Sequence, residues 1–258
     1  MLGAIAGDVI GSVHEFLGQK TKEFPLFVEK SRFTDDTVLS IAVADCLLTG
    51  SSYVDTFRAY AKKYPDRCYG LGFWRWVESG SREPYNSWGN GSAMRVSAVA
   101  FAFDTLEEVL QEAAASAKVT HNHPEGVRGA QAAAAATFLA RQGEAKRNIR
   151  RLIEGRFGYD LSRTTAMIRP TYAFNESCQG TVPEAITAFL DSVDYEDAVR
   201  LAISLGGDAD TLACITGGIA GAFYGVPYSI AGRALESLDP ELMEIVTRFC
   251  KTYVIAMP

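Results

Sequence analysis

The chain has 258 residues, with 25 lysines and arginines against 31 aspartates and glutamates, a formal net charge of -6 and 48% hydrophobic residues. That apolar content supplies a sizeable core and excludes both intrinsic disorder and a disulfide-stapled miniprotein. The acidic balance, with no block of like charges, excludes the basic footprint of a nucleic-acid or anionic-membrane binder.

Cys46, Cys68, Cys178, Cys214 and Cys250 are spread along the chain without a CxxC pair, which reads as free thiols of a reducing compartment. Met1 to Asp8 carries no basic segment ahead of its apolar residues, so a secretory signal is not expected and the expected location is cytoplasmic.

The patterning is helical almost throughout. Gly3-Ala4-Ile5-Ala6-Gly7-Asp8 opens the chain and leads to His14-Glu15-Phe16, where Glu15 is either a solvated helix end or a carboxylate directed at a site. Val38, Ile41, Ala42 and Cys46 keep helical spacing after Thr34-Asp35-Asp36-Thr37. Ser87-Trp88-Gly89-Asn90-Gly91 is a glycine loop running into an apolar helix, able to turn backbone N–H groups toward a phosphate or to act as a plain turn. Leu106, Val109, Leu110, Ala113 and Ala117 form one apolar stripe, with glutamates on the opposite face. Thr120-His121-Asn122-His123-Pro124 separates that helix from the alanine run Ala130 to Ala140.

Thr181-Val182-Pro183-Glu184 has the form of a capping box at a helix start, and further helices are predicted over Tyr195 to Leu205 and Pro240 to Tyr253. Thr211 to Gly232 is uncharged, yet Pro227 would break a bilayer-spanning helix, so a buried core helix is predicted. Gly217, Gly221 and Gly225 would let a neighbouring backbone approach closely there. No segment alternates convincingly with period two and no linker or repeat interrupts the chain. The predicted fold is all-α, one domain over residues 1–258.

Two aspartate clusters open apolar helices: Thr34-Asp35-Asp36-Thr37, and Gly206-Gly207-Asp208-Ala209-Asp210-Thr211. Helix capping accounts for one such cluster. It does not account for charge gathered at the mouth of the most buried helix, where each unpaired ion costs several kcal/mol, by order of magnitude. Four carboxylates and two threonine hydroxyls with no nearby cation form an oxygen-only set suited to magnesium, manganese or calcium. Their charge suits two such ions better than one.

These segments, in this order, resemble the ADP-ribosylglycohydrolases, the family of the dinitrogenase reductase-activating glycohydrolase. The resemblance rests on Gly3-Ala-Ile-Ala-Gly-Asp8, Phe33-Thr-Asp-Asp-Thr37, Gly89-Asn-Gly-Ser-Ala-Met-Arg95, Thr120-His121 with Pro124, and Gly206-Gly-Asp-Ala-Asp-Thr211 followed by Gly217 to Gly225. It implies a compact bundle of about a dozen helices and hydrolytic release of ADP-ribose from a modified protein side chain or small molecule. It implies a dinuclear Mg2+ or Mn2+ centre held by Thr34, Asp35, Asp36, Asp208, Asp210 and Thr211. Glu15, Asp35, Asp36 and Asp208 become the catalytic candidates.

Substrate contacts are implied for Gly70, Gly72, Tyr85, Asn86, Ser87, Trp88, Gly89, Asn90, Gly91 and His121, with the adenine near Ser177, Cys178 and Phe174. His123 has a less definite counterpart, and a monomer is expected. Ala209 departs from the family pattern between two ligand positions. The stretch between Gly72 and Asn86 is short, which leaves the cleaved linkage open among arginine, serine, O-acetyl-ADP-ribose and small-molecule acceptors. Two other readings remain: a non-catalytic ADP-ribose-binding protein of the same fold, and a two-metal phosphohydrolase on an unrelated bundle.

Overall fold

Capping residues and glycines divide the chain into fifteen helices, described over residues 1–258 in a computed structural model. In chain order they are α1 (Leu2–Gly11), α2 (Asp35–Thr49), α3 (Tyr53–Lys63), α4 (Leu71–Ser79), α5 (Gly91–Met94), α6 (Val99–Ala102), α7 (Leu106–Lys118), α8 (Pro124–Arg141), α9 (Lys146–Phe157), α10 (Thr165–Ile168), α11 (Cys178–Asp191), α12 (Tyr195–Ile203), α13 (Ala209–Tyr224), α14 (Tyr228–Leu235) and α15 (Pro240–Thr252). The only β pairing is an isolated bridge between Gly89 and Ser177, so the all-α expectation holds. Three helices, α5, α6 and α10, are single turns of four residues, which leaves about a dozen longer ones.

α13 is the central element, buried from Ala209 through Ala220 and packed on α1, α8, α11 and α12. α1 is buried along its whole length and runs antiparallel to α13 at backbone contact. A Cβ at Gly3 would lie 2.2 Å from the Gly217 carbonyl oxygen, and one at Gly7 2.0 Å from that of Ala213. At Gly11 it would meet the Asp210 Cα at 2.6 Å. Gly217 and Gly221 thus serve the close approach predicted for them. Gly225 does not: it lies past the helix end at φ +79, with open space around its Cα.

One expected boundary moves. Ser177 rather than Thr181 caps α11, its hydroxyl accepting from the Gly180 N–H at 3.0 Å, so Pro183 falls inside the helix instead of at its start. The uncharged stretch is broken as predicted, α13 ending at Tyr224 and Pro227 standing at the N-cap of α14, and no helix is long and apolar enough to cross a membrane. All five cysteines are free thiols.

The α1–α13 contact generates a paired stability prediction. Gly7→Ala forces the two helices apart and should cost about 3 kcal/mol of unfolding free energy in urea denaturation, the range for overpacking a core. Gly155→Ala, in α9 with nothing within 4 Å of the new methyl, should instead gain about 0.5–1 kcal/mol from helix propensity.

Candidate active site

The antiparallel contact brings the C-terminal end of α1 beside the N-terminus of α13, and the segment after α1 carries Glu15 to the aspartates there. One carboxylate oxygen from each of Glu15, Asp208 and Asp210 lies within 4.8 Å of the other two. The α2 N-terminus closes the group: the Thr211 hydroxyl on α13 donates to Asp36 Oδ2 at 3.3 Å. Asp35, at the first position of α2, is half-buried and faces the cleft.

Capping explains one residue of the cluster. Thr34 caps α2 by accepting from the Asp36 N–H, whereas Asp208 stands at the N-cap of α13 without making a cap bond. Asp208 Oδ2 instead accepts from Asn90 Nδ2 at 2.7 Å. Asp36 Oδ1 is enclosed and has no hydrogen-bond partner. None of these carboxylates is ion-paired with a lysine or arginine. An enclosed, oxygen-only donor set with an orphaned carboxylate oxygen fits a hard divalent cation.

Asp8 belongs to this cluster, although the sequence reading assigned it no role. It is fully buried and accepts from the Thr34 N–H at 3.0 Å, the Thr34 hydroxyl at 2.7 Å and the Thr37 N–H at 3.1 Å. It thereby ties α1 to the first turn of α2 and orients the Thr34 oxygen. The available signal was an aspartate set among Ile5, Ala6, Val9 and Ile10, where a charge persists only with dedicated partners.

Burial without countercharge governs the protonation of the group. Desolvation, reinforced by neighbouring carboxylates, holds Asp35, Asp36 and Asp210 well above the usual carboxylate range. Asp8 is also raised by burial, against the pull of its threonine hydrogen bonds. Burial, then Asp208 and Asp8, push Glu15 up to about 7, with Arg32 opposing.

The carboxylates form one end of a cleft of about 350 Å³. Its walls include Asp35, Asp36, Asp208, Asp210, Thr211 and Glu15 together with Gly70, Gly72, Tyr85, Ser87, Trp88, Gly89, Asn90, Gly91 and His121, so most of the sequence-selected residues meet at one place. Gly72 lies under the Tyr85 ring, where a Cβ would be 3.2 Å from Cε2.

Four selected residues do not line the cleft. Thr34 sits behind it on Asp8. Asn86 is exposed, at φ +56, with its N–H donating to Asn122 Oδ1. Ser177 caps α11, and Cys178 is buried beneath the glycine loop with its thiol donating to the Gly89 carbonyl at 3.0 Å. Phe174, named with them in that stretch, does line the cleft, together with Glu176, and Phe174 stacks on Phe16 at 5.9 Å.

The glycine loop spends several of its amides within the protein. The Ser87 N–H goes to the Thr120 carbonyl, Gly89 to the Ser87 hydroxyl and Asn90 to the Glu176 carbonyl, leaving those of Trp88 and Gly91 without a protein partner. Asn90 itself is buried against Asp208, so it positions a carboxylate as well as bounding the cleft.

A family model described as ADP-ribosylglycohydrolase matches residues 1–254. The chain is 27% identical to ADP-ribosylhydrolase ARH3 of Homo sapiens, over 88% of this chain and 84% of that protein. It is 26% identical to ADP-ribosylarginine hydrolase Tri1 of Pseudomonas putida, over 88% and 70% of the two. A solved structure titled ADP-ribosylglycohydrolase-related protein complex superposes with a TM-score of 0.70 at 25% identity, covering 99% of this chain and 97% of its own.

The raised carboxyls set the sign of a pH effect. A carboxyl whose pKa is higher folded than unfolded favours the fold below its unfolded value, and that contribution is lost as pH rises toward the folded value. For Glu15 the window runs from 4.5 to about 7. In chelator, the thermal midpoint of the wild type should therefore fall across that window relative to Glu15→Gln. Added Mg2+ or Mn2+ should raise it again at pH 7, with protons released on binding in calorimetry. A wild-type midpoint that climbs over this window relative to Glu15→Gln contradicts the assignment.

Proposed function

The chain belongs to the ADP-ribosylglycohydrolase family, and from that premise we propose that it is a metal-dependent hydrolase that cleaves the glycosidic bond between ADP-ribose and a modified acceptor. The observation that carries the reading is the closed set of carboxylates at one end of the cleft, with no cationic side chain paired to it and Asp36 Oδ1 orphaned. Gathering these carboxylates costs several kcal/mol per ion, by order of magnitude, which favours a site where they do chemistry over a plain structural role.

Thr34, Asp35, Asp36, Asp208, Asp210 and Thr211 would hold two divalent cations, Mg2+ or Mn2+. Bound there, the ions supply Lewis-acid stabilisation to a sugar's hydroxyls and to the reacting water. Asp8 and Asn90 keep the donor atoms of Thr34 and Asp208 in place. Glu15, Asp35, Asp36 and Asp208 are the candidate proton acceptors, and Glu15 is carried by the non-helical segment between α1 and α2.

In the reaction, a water oxygen bonds to the anomeric carbon as the bond to the acceptor atom breaks. The carboxylate takes the water proton, and the departing acceptor atom is protonated from the same cluster or from solvent. The remaining cleft, from Gly70 and Gly72 through Tyr85 to Gly91 and His121, binds the rest of ADP-ribose. Ser177 and Cys178 support its glycine loop from behind.

Product mass spectrometry tests this on acceptors bearing arginine-linked and serine-linked ADP-ribose and on O-acetyl-ADP-ribose, with Mg2+ or Mn2+ and with chelator. Intact ADP-ribose should be released from at least one, and chelator should abolish release. Release of AMP would assign a phosphohydrolase instead, and tight ADP-ribose binding without turnover would assign a binding protein. Asp36→Asn should lower kcat about a thousandfold and Glu15→Gln about a hundredfold, both with unchanged helical circular dichroism.

A further inference from the structure

Arg95 is the largest fully buried side chain and has no carboxylate partner. Its guanidinium lies 4.4 Å over the Phe57 ring, and Nε and Nη1 are enclosed without acceptors. Only Nη2 is satisfied: its two hydrogens go to the Ser116 carbonyl at 2.7 Å and the Thr120 hydroxyl at 2.9 Å. The Thr120 hydroxyl is itself 2.8 Å from His121 Nδ1.

The direction of that last bond follows from counting hydrogens. A guanidinium cannot accept, so Thr120 Oγ1 accepts from Arg95 and still has one hydrogen to place. Thr120 is fully buried, and His121 Nδ1 is the only acceptor within reach of its hydroxyl. Were Nδ1 to carry a proton, that hydroxyl hydrogen would be left unsatisfied in the interior.

We propose that Arg95 and Thr120 are positioning residues that hold His121 in the Nε2–H tautomer, so that this wall of the cleft offers the ligand a hydrogen-bond donor and no acceptor. Nε2 has no partner in the protein and lies beside Gly91 and Gly89, where added Cβ atoms would be 3.3 and 3.6 Å away. The absence of side chains at those two positions leaves the N–H a path into the cleft.

The titratable groups facing the ring are Arg95, through Thr120, and Tyr85, whose ring meets it edge-on at 5.8 Å. Burial first, and then the Arg95 charge, hold the imidazole well below its usual pKa, which keeps it neutral. The ligand atom opposite is then an oxygen with a free lone pair: a sugar hydroxyl acting as acceptor, a ring oxygen or a phosphoryl oxygen. That identification rests on the ADP-ribose reading of the cleft; the tautomer does not.

Long-range nitrogen–proton correlation spectra of histidine-labelled protein test the relay directly, with His121→Gln to assign the signal among three histidines. Wild type should show the neutral Nε2–H pattern for His121. Thr120→Val should convert it to a mixture of tautomers and weaken ADP-ribose binding in calorimetry by the inverse of the remaining Nε2–H fraction, about twofold for an equal mixture, and Thr120→Ser should restore both. An Nδ1–H or doubly protonated His121 in the wild type overturns the proposal even if Thr120→Val does not fold. So does a tautomer that ignores Thr120→Val. If the tautomer follows Thr120 while ADP-ribose fails to bind wild type with metal present, the relay stands and the ligand assignment falls.

Discussion

The architecture depends on one backbone contact, that of α1 against α13. Gly3, Gly7 and Gly11 face Gly217, Ala213 and Asp210 so closely that no side chain fits between them. Antiparallel helices at this separation have their ends in fixed register, and the register decides the site. It sets the end of α1 beside Asp208 and Asp210, places Asp8 within reach of Thr34 and Thr37, and starts the segment bearing Glu15 at the lip of the cleft. Buried alanines occur throughout this core, but the glycines of α1 have a particular place in it. They occupy the positions where a longer side chain would separate two sets of carboxylates.

Gathering those carboxylates has an electrostatic cost that the surrounding fold only partly offsets. The N-termini of α2 and α13 point their positive ends at the cluster, and Asn90, Thr34 and Thr37 supply hydrogen bonds. No lysine or arginine neutralises it. The opposite polarity is found elsewhere along the same cleft, where Arg95 is buried without a carboxylate and its charge is felt through Thr120 and His121. The cleft is thus acidic at one end and lined with hydrogen-bond donors at another. Separating the two polarities, rather than pairing them in an ion pair, keeps both available to a ligand.

Much of this was legible in the sequence, for identifiable reasons. The two aspartate clusters stood at helix starts next to apolar runs, and local capping could not explain both. Val109, Leu110, Ala113 and Ala117 marked α7 by spacing alone. α9 carries no comparable signal, because Lys146, Arg147, Arg150 and Arg151 crowd it with charge and its buried face is only Ile149, Ile153 and Phe157.

The role of Asp8 is not legible in the sequence, since its three donors all come from a segment more than twenty residues away. Ser177 and Cys178 lay in the correct stretch, but cap geometry turned them behind the loop and left Phe174 and Glu176 at the cleft. Sequence patterns locate elements and charges well. They do not say which neighbour a side chain will turn to once helices distant in the chain are packed together.

The segment between α1 and α2 shows how a non-helical stretch can still be placed accurately. Lys20 Nζ donates to the carbonyls of Arg169, Tyr172 and Leu205, and Arg200 donates to those of Lys22 and Phe24. Lysine and arginine thus hold the segment against the end of α10, α12 and the turn after α12, where Gly206 at φ +70 passes so close to Gln19 that a Cβ would lie 2.8 Å from its carbonyl oxygen. That turn leads directly into Asp208. Glu15 and Asp208 therefore lie on two segments that the same contacts hold together. Phe16 and Leu17, by contrast, are 78% and 70% exposed just beyond Glu15. Phe16 nevertheless stacks on Phe174 at the cleft, so the tip of the segment, and Glu15 beside it, is placed by that contact as well as by the anchor at Lys20.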